Sequence, residues 1–419
     1  MKHKKKVVLL MLYRGSQEVD AILPLIYKLS KEFTIFTYFK SQKTFNSLKS
    51  NTNLFKLWKK VSKNYYVESK LDNFFWKVLR KISSFFLNEN NSIVNFLNFK
   101  IHGYDFLKKK IYNNINIESF KIDILFSDSG VNSGWVASLK KNKDRPFIVH
   151  YMPSPFIQWK SKLNKEYRAK WKLSGDILLL SSKEESYRWR NYIQNSRIKI
   201  CGILKYDKWW LKKNIYKSTI DFNYKNLIKN NFLITIAYSS YFDLYPLKKE
   251  TLEKQLQDIM NCVLSFPNII IVFKVHPAIN SNHFLKILAK YDKKRWIISK
   301  SHIINLSAIS SCLITHNITS TQLDAIVQKI PSIELWPVAP LDHNYSAYTD
   351  LGLSIRAKNE KNLKKLIKMA TLNNQNSIWK KQQSNFKKIY SQDNRSNERA
   401  LKVINEGYNK LCNSNFKIF

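Results

Sequence analysis

The sequence predicts an α/β protein of two domains, each built on a parallel sheet, and three observations carry that prediction. Short apolar runs alternate with longer stretches of helical periodicity, the pattern of repeated strand–helix–strand units. The strand candidates fall into two groups, separated by a Lys-, Trp- and Asn-rich stretch at 205–230 that no strand pattern interrupts. A chain of 419 residues also exceeds what one hydrophobic core ordinarily serves. Its 44% apolar and 24% charged residues supply two cores and exclude a disordered polymer.

Taken in order, the first strand is KVVLLMLY at 6–13. Its basic lead, MKHKKK, resembles a secretory leader. The apolar stretch nevertheless stops after Leu12, too short for a leader and without a small-residue cleavage site, so the segment reads as a strand. YRGSQEVDAI then places Gly15 in a strand-to-helix turn and Glu18 in the first helical turn, where a carboxylate suits the helix dipole and offers an alternative base. After FTIFTYF (33–39), residues 42–118 are the least strand-like of the first half and read as a helical insert. Within it, LDNFFWKVLRKISSFFL sets Leu71, Phe74, Phe75, Val78, Ile82 and Phe85 opposite Lys77, Arg80 and Lys81. That is an amphipathic helix suited either to a core or to an anionic bilayer. IDILFSD (122–128), PFIVHYM (146–152), DILLLSS (176–182) and IKICGI (198–203) complete the first group.

The second group is FLITIAYSS (232–240), IIIVFKV (269–275), WIISK (296–300), SCLITH (311–316) and SIELW (332–336), followed by helical patterns from Asn359. The expected domains are 1–205, 206–395 and a closing helix at 396–419. No repeat periodicity appears.

Charge and cysteine content narrow the function. With 71 Lys and Arg against 30 Asp and Glu, the formal charge of +41 attracts polyanions of every kind, whether nucleic acid, lipid headgroups or nucleotide diphosphates. Cys201, Cys262, Cys312 and Cys412 form no C-x-x-C pair, which argues against a disulfide framework and a zinc site and for a reducing compartment. No 18 apolar residues run together, so no membrane span is expected. The expected location is cytoplasmic, with the membrane surface as a second possibility. Neither H-E-x-x-H nor D-x-D occurs, so the expectation is a reaction that requires no metal.

Strand ends carry the candidate chemistry, because open parallel sheets bind ligands beyond the carboxyl ends of their strands. IIIVFKVHPAIN ends a strand on Lys274 and His276, and Pro277 forces the chain to turn there. CLITHNITSTQLDAIVQKIP runs from a strand into a helix with Leu323, Ile326, Val327 and Ile330 on one face. Thr319 and Gln322 match the capping-box spacing, so the helix is expected to begin near Thr319, with Ser320 and Thr321 in its first turn. Free amides, hydroxyls and the helix dipole there suit a phosphate, and with Lys274 and His276 they predict a diphosphate pocket. Ser239, closing the strand at 232–240, is a further phosphate-binding candidate. FSDSGVNSGW offers Asp128 and Ser129 ahead of Gly130 and Gly134, matching neither the dinucleotide fingerprint nor the P-loop. Asp128, Ser129, Ser154 and Glu18 are the candidates for lining an acceptor site.

The order of these motifs resembles the GT-B glycosyltransferase-like proteins of bacterial surface polymer synthesis. The resemblance is to CDP-glycerol glycerophosphotransferases and to capsular polysaccharide and polysialic acid transferases. K-x-H-P is followed by a strand, a Ser/Thr cluster, a helix and a proline; FIVHYMPSP stands where these enzymes have a strand and a W-H-G-type loop; CGILKYDKW resembles their G-x-P-R-x-D element, and DNRSNERALKVI their D-G-x-x-x-E-R segment. The similarity covers most of 120–405. It departs from the pattern at Val149-His150-Tyr151, where the glycine is lost, and at His316 to Thr321, where D-Y-S-S is usual.

The resemblance implies two Rossmann-like domains facing a cleft and a sugar or polyol phosphate moved from a CMP-, CDP- or UDP-activated donor to a surface glycan or lipid-linked acceptor. The donor is a substrate, and no cofactor is implied. It further implies that His150 is the general base and that His276 and Lys274 neutralise charge on the departing phosphate. Ser320 and Thr321 would assist, Lys205 would reach the same phosphate from the hinge, and Asp324 would meet a ribose. A nonhydrolysing UDP-N-acetylglucosamine 2-epimerase shares the architecture but needs carboxylates in the cleft, which the sequence supplies sparsely. A nucleic-acid-binding protein would account for the charge, yet no compact recognition signature is present and no specific nucleic-acid partner is expected.

Overall fold

The computed structural model describes residues 6–68, 122–128, 145–152, 175–189, 194–214, 220–238, 249–275, 282–316, 319–336, 347–371 and 375–416. They form two compact units. The first runs to Trp210 and takes up the chain again at Asp393; the second comprises residues between Leu211 and Gln392.

The first unit contains β1 (Lys6–Leu12), α1 (Ser16–Leu29), β2 (Phe33–Phe39), α2 (Gln42–Ser50), α3 (Thr52–Val61) and β3 (Asn64–Val67). It continues with β4 (Ile124–Asp128), β5 (Phe147–Tyr151), β6 (Ile177–Leu180), α4 (Lys183–Trp189) and β7 (Ile198–Ile200). The strands form one parallel sheet in the order β3-β2-β1-β4-β5-β6-β7. Alternation along β1 explains why it lies at the centre. Val8, Leu10 and Leu12 enter the large core under α1, while Val7, Leu9 and Met11 enter a smaller core on the other face. A strand buried on both faces must be apolar throughout, and this one is.

The second unit contains β8 (Phe232–Tyr238), α5 (Lys249–Leu264), β9 (Ile269–Val275), α6 (Asn282–Leu288), β10 (Trp296–Ile298) and α7 (Ile303–Ser307). β11 (Cys312–Thr315), α8 (Thr321–Val327), β12 (Ser332–Glu334), β13 (Ile355–Arg356), α9 (Glu360–Thr371) and α10 (Gln375–Tyr390) complete it. Its sheet is also parallel, in the order β10-β9-β8-β11-β12-β13. Leu256, Ile259, Met260 and Val263 of α5 and Leu363, Leu366 and Ile367 of α9 pack one face of the sheet. Two parallel-sheet α/β units are thus present, as the alternation of apolar runs and helices predicts.

The last helix, Ser396–Phe416, belongs to the first unit through a buried cap. The carboxylate of Asp207 accepts from the amides of Ser396 (3.1 Å) and Asn397 (2.9 Å) and from Asn397 Nδ2 (2.8 Å). Arg399 Nε donates to the carbonyl of Cys201 at 3.0 Å, and Tyr408 Oη to Asp123 Oδ1 at 2.7 Å. Ala400 and Ile404 of this helix join the core under α1. Two segments quoted above for the resemblance, 201–209 and 393–404, are therefore bonded to one another.

Three local expectations are corrected. The stretch read as a helical insert contains β3, an edge strand paired only with β2; Asn-Tyr-Tyr-Val lacks the continuous apolar run that marks a strand buried on both sides. β13, two residues long, also escaped notice. The helix after β11 begins at Thr321 with Ser320 as its N-cap, and no side chain caps it. Gln322 does not complete a capping box. Its Nε2 turns inward, donating to Thr315 Oγ1 and Glu334 Oε2 at 2.9 Å each, because a buried amide needs interior partners more than the helix end needs a cap. The amphipathic segment at 71–87 lies outside the described residues, as do Gly130 and Gly134.

Candidate functional site

Each sheet has one switch point, where the strand order reverses and the loops after two neighbouring strands diverge to leave a crevice. In the first unit it lies between β1 and β4, in the second between β8 and β11.

At the first switch point the chain leaves β1 through Tyr13, Arg14 and Gly15. Gly15 has φ 72°, and a Cβ there would lie 2.3 Å from the carbonyl oxygen of Thr44, so only glycine fits the turn. Glu18, three residues on, folds back over it. Its Oε2 accepts from the amides of Tyr13 (2.7 Å), Arg14 (2.5 Å) and Gly15 (3.1 Å), which fixes the loop. Its other oxygen, Oε1, is buried and has no hydrogen-bond partner among the described residues. Burial above all, and then the negative charge of Asp128, push Glu18 up to about 8 despite those three amides. At neutral pH it is a protonated acid.

Asp128 closes β4, fully buried, with Arg14 Nε 3.2 Å from its Oδ2. Tyr151 closes β5 beside it in register. Its phenol is held neutral, pushed well up by burial and by the charges of Glu18 and Asp128, and its hydroxyl finds no hydrogen-bond partner among the described residues. A proton-holding carboxylic acid, a second carboxyl group, a guanidinium and a phenol thus share one strand-end site. Such a group can hand over a proton, take one, or hold a polyhydroxylated ligand.

His150, adjacent to Tyr151, points to the opposite face of the sheet by strand alternation. It is 1% exposed, with Nδ1 3.4 Å from the carbonyl oxygen of Ser127. Its ring fills the space beside Gly175, where a Cβ would lie 2.2 Å from Cδ2. Lys205 forms a 2.7 Å ion pair with Asp20 on α1, and its Nζ lies 5.1 Å from the centre of the Tyr206 ring.

At the second switch point Tyr238 ends β8 and His316 follows β11. Their rings stack at 4.6 Å with planes 14° apart, and both are buried. Lys274, near the end of β9, donates to the carbonyl of Lys300 at 2.9 Å. Burial lowers it to about 8, against the pull of Asp221. Burial would raise Asp221, but hydrogen bonds from Ser299 and Ser301 hold it below its ordinary value. Thr319 and Thr321 lie partly exposed with their hydroxyls 3.2 Å apart, Ser320 stands between them, and Asp324 is buried at 1% exposure. Glu334 joins Gln322 to Arg356, whose Nη2 is 2.8 Å from Glu334 Oε1.

Of the candidates read from the sequence, Glu18 and Asp128 come together, whereas Lys274, on β9, and the Thr319–Asp324 segment, which follows β11 into α8, belong to the same unit with no contact between them shown. Lys205 sits with Asp20, and His150 lies on the far face. Ser129, Ser154, Ser239 and His276 lie outside the described residues. Arg14, Tyr151, Tyr238 and His316 were not singled out as site residues. Each lies at the end of a predicted strand, which is the signal that would have found them. Among the described residues no group of three or more His, Cys, Asp or Glu side chains assembles to hold a metal, and no helix is long and apolar enough to cross a membrane.

No protein-family model and no curated protein matches the sequence. Solved structures do resemble it. The UDP complex of MnaA from S. aureus aligns with a TM-score of 0.64 at 12% identity, covering 97% of each chain. UDP-GlcNAc 2-epimerase from Methanocaldococcus jannaschii, in complex with UDP-GlcNAc and UDP, aligns with 0.57 at 14% identity, covering 96% of this chain and 100% of that one. The calicheamicin glycosyltransferase CalG4 aligns with 0.56 at 10% identity, covering 97% and 99%. At these identities the likeness establishes architecture alone. The chain has a GT-B-like fold of two parallel-sheet α/β units, each with buried polar side chains at its switch point.

Proposed function

We propose that the protein is an enzyme acting on a nucleotide-activated sugar or polyol, and that Glu18, Asp128, Arg14 and Tyr151 handle the reacting part of the substrate. The observation that carries this reading is the pair of buried carboxyl groups at one switch point, Glu18 holding its proton at neutral pH beside Asp128. A buried carboxylic acid that keeps its proton beside a second carboxyl group is an arrangement that acid–base chemistry can use. The nucleotide would occupy the second unit, with Lys274 supplying a cation for the diphosphate and the Thr319–Thr321 hydroxyls completing its shell.

In the transferase reading, Asp128 takes the proton of an acceptor hydroxyl as that oxygen attacks the donor, and the nucleotide leaves with the electron pair of the broken bond. His150, packed against Gly175, would then steady β5 rather than act as the base. The acceptor would be a bacterial surface glycan or its lipid-linked precursor. The net charge of +41 would favour an anionic surface presenting it.

The carboxyl pair also favours a second reading, epimerisation. There one carboxyl group removes a proton from the sugar carbon and another returns one to the opposite face, and the sequence alone had made such groups look scarce. Proton NMR of the enzyme incubated with UDP-N-acetylglucosamine separates the two. Appearance of the 2-epimer establishes epimerisation. An unchanged sugar that is passed on when glycan acceptors are added establishes transfer. Absence of both, with no nucleotide binding, overturns the proposal.

A further inference from the structure

Along β9, Ile270 and Val272 enter a small core that also holds Phe222, Tyr224 and Leu227. By strand alternation Lys274 faces the same side of the sheet, the side that the 221–227 segment covers. An apolar residue would continue that run. The chain instead places an ammonium there, at the carboxyl end of a parallel strand, the rim where open α/β sheets bind ligands.

A loop fixes the ammonium, and Asp221 fixes the loop. Ser299 extends the ladder, its amide donating to the carbonyl of Phe273 at 2.9 Å. Asp221 Oδ1 accepts from Ser299 Oγ (2.6 Å) and Ser301 Oγ (2.7 Å), and its Oδ2 accepts from the amide of Lys300 (2.7 Å). Closed in this way, the loop turns the carbonyl of Lys300 to Lys274 Nζ, which donates to it at 2.9 Å. An ammonium has several N–H donors, so one bond to a carbonyl orients it without exhausting it.

Charge acts in the same direction as geometry. Burial works against the ammonium of Lys274, and the carboxylate of Asp221 works for it. The other polar groups around β9 are placed differently. Lys300 is exposed on the loop itself, and His302, next along, accepts from the amide of Ile304 at 3.3 Å. Arg295 lies at the other end of β9, donating to the carbonyl of Ile269 at 2.9 Å. β8 sets Ala237 in register with Lys274 and then Tyr238, whose phenol burial holds neutral. α5 packs the opposite face through Leu256, Ile259 and Met260.

We propose that Asp221 is a positioning residue for the nucleotide: through the 299–301 loop it sets the Lys274 ammonium at the strand end and keeps it charged for a diphosphate. This rests on the reading of the protein as an enzyme of nucleotide-activated substrates, and adds to it a residue that acts through Lys274 rather than by touching the ligand.

Calorimetric titration of the full chain with UDP and with CDP, from pH 6.5 to 9, tests it. Asp221→Asn removes the charge and the acceptor of the Lys300 amide; the residue is exposed, so both cores stay intact. Lys274 is charged below about 8 and neutral above, so the affinity of the wild type should fall as pH rises. In the variant the fall should begin at lower pH. The ratio of wild-type to variant affinity, in which the nucleotide's own ionisation cancels, should therefore rise by at least about threefold across the range, the effect of moving the Lys274 pKa by about half a unit. In a Lys274→Met background, which keeps the side chain's length without the ammonium, Asp221→Asn should change affinity by less than about twofold at every pH. A ratio constant with pH, or an Asp221→Asn effect that persists without Lys274, overturns the positioning role and leaves the nucleotide reading standing. Failure of the wild type to bind either nucleotide overturns that reading and the positioning role with it.

Discussion

Glu18 does two jobs that pull in opposite directions. Its Oε2 accepts three backbone amides, which favour the ionised form, yet desolvation wins and the folded chain keeps the proton to about pH 8. Stability must follow. Below about 4.5 the folded and unfolded chains both hold the proton. From there to about 8 only the folded chain does, so rising pH removes stability throughout that window, and above it the loss is complete. Glu18→Gln keeps an oxygen for the three amides and cannot ionise. The stability of the wild type relative to this variant should therefore fall by several kcal/mol between pH 5 and 8.5 in urea unfolding. A difference constant with pH would mean that Glu18 is ionised in the folded protein.

Among the elements, the C-terminal helix depends on a residue nearly two hundred positions away. Asp207 is fully buried and satisfies the amides of both Ser396 and Asn397, donors that a helix start otherwise leaves open. Asp207→Ala leaves them unpaired in the interior and should cost roughly 1–3 kcal/mol. Thermal unfolding would register a drop of several degrees, against little change for the exposed Glu406→Ala; equal melting temperatures would refute the cap.

The same scale explains what the sequence could tell. Every predicted strand exists, because each carries an apolar run, the edge strands β7 and β10 included; β3, Asn-Tyr-Tyr-Val, and β13, two residues long, carry no such run. Thr319 and Gln322 had capping-box spacing, but the rule cannot sense that Thr315 and Glu334 wait beneath the helix for the amide of Gln322. Glu18 and Asp128 were legible as a helix-start and a strand-end carboxylate. Their meeting, and the company of Arg14 and Tyr151, depends on β4 lying beside β1 across more than a hundred residues, which no local pattern records.

At the scale of the molecule, two sheets of independent core each present a switch point, and they differ in chemistry. The first gathers carboxyl groups and a phenol around Gly15; in the second unit a stacked Tyr238–His316 pair stands at the switch point, while Lys274 lies near the end of β9 and the Thr319 and Thr321 hydroxyls at the start of α8. That difference supports a division of labour in which one unit holds the nucleotide and the other works on what the nucleotide carries. Removing a carboxylate from the first should then damage chemistry and spare nucleotide binding. The most direct test is the turnover of UDP-N-acetylglucosamine by the wild type and by Asp128→Asn, read as 2-epimer formed and, with glycan acceptors present, as UDP released, with UDP affinity measured on both. The account predicts a loss of roughly a hundredfold or more in turnover with UDP affinity unchanged within about twofold. Near-normal turnover in the variant, or loss of UDP binding along with it, would contradict it.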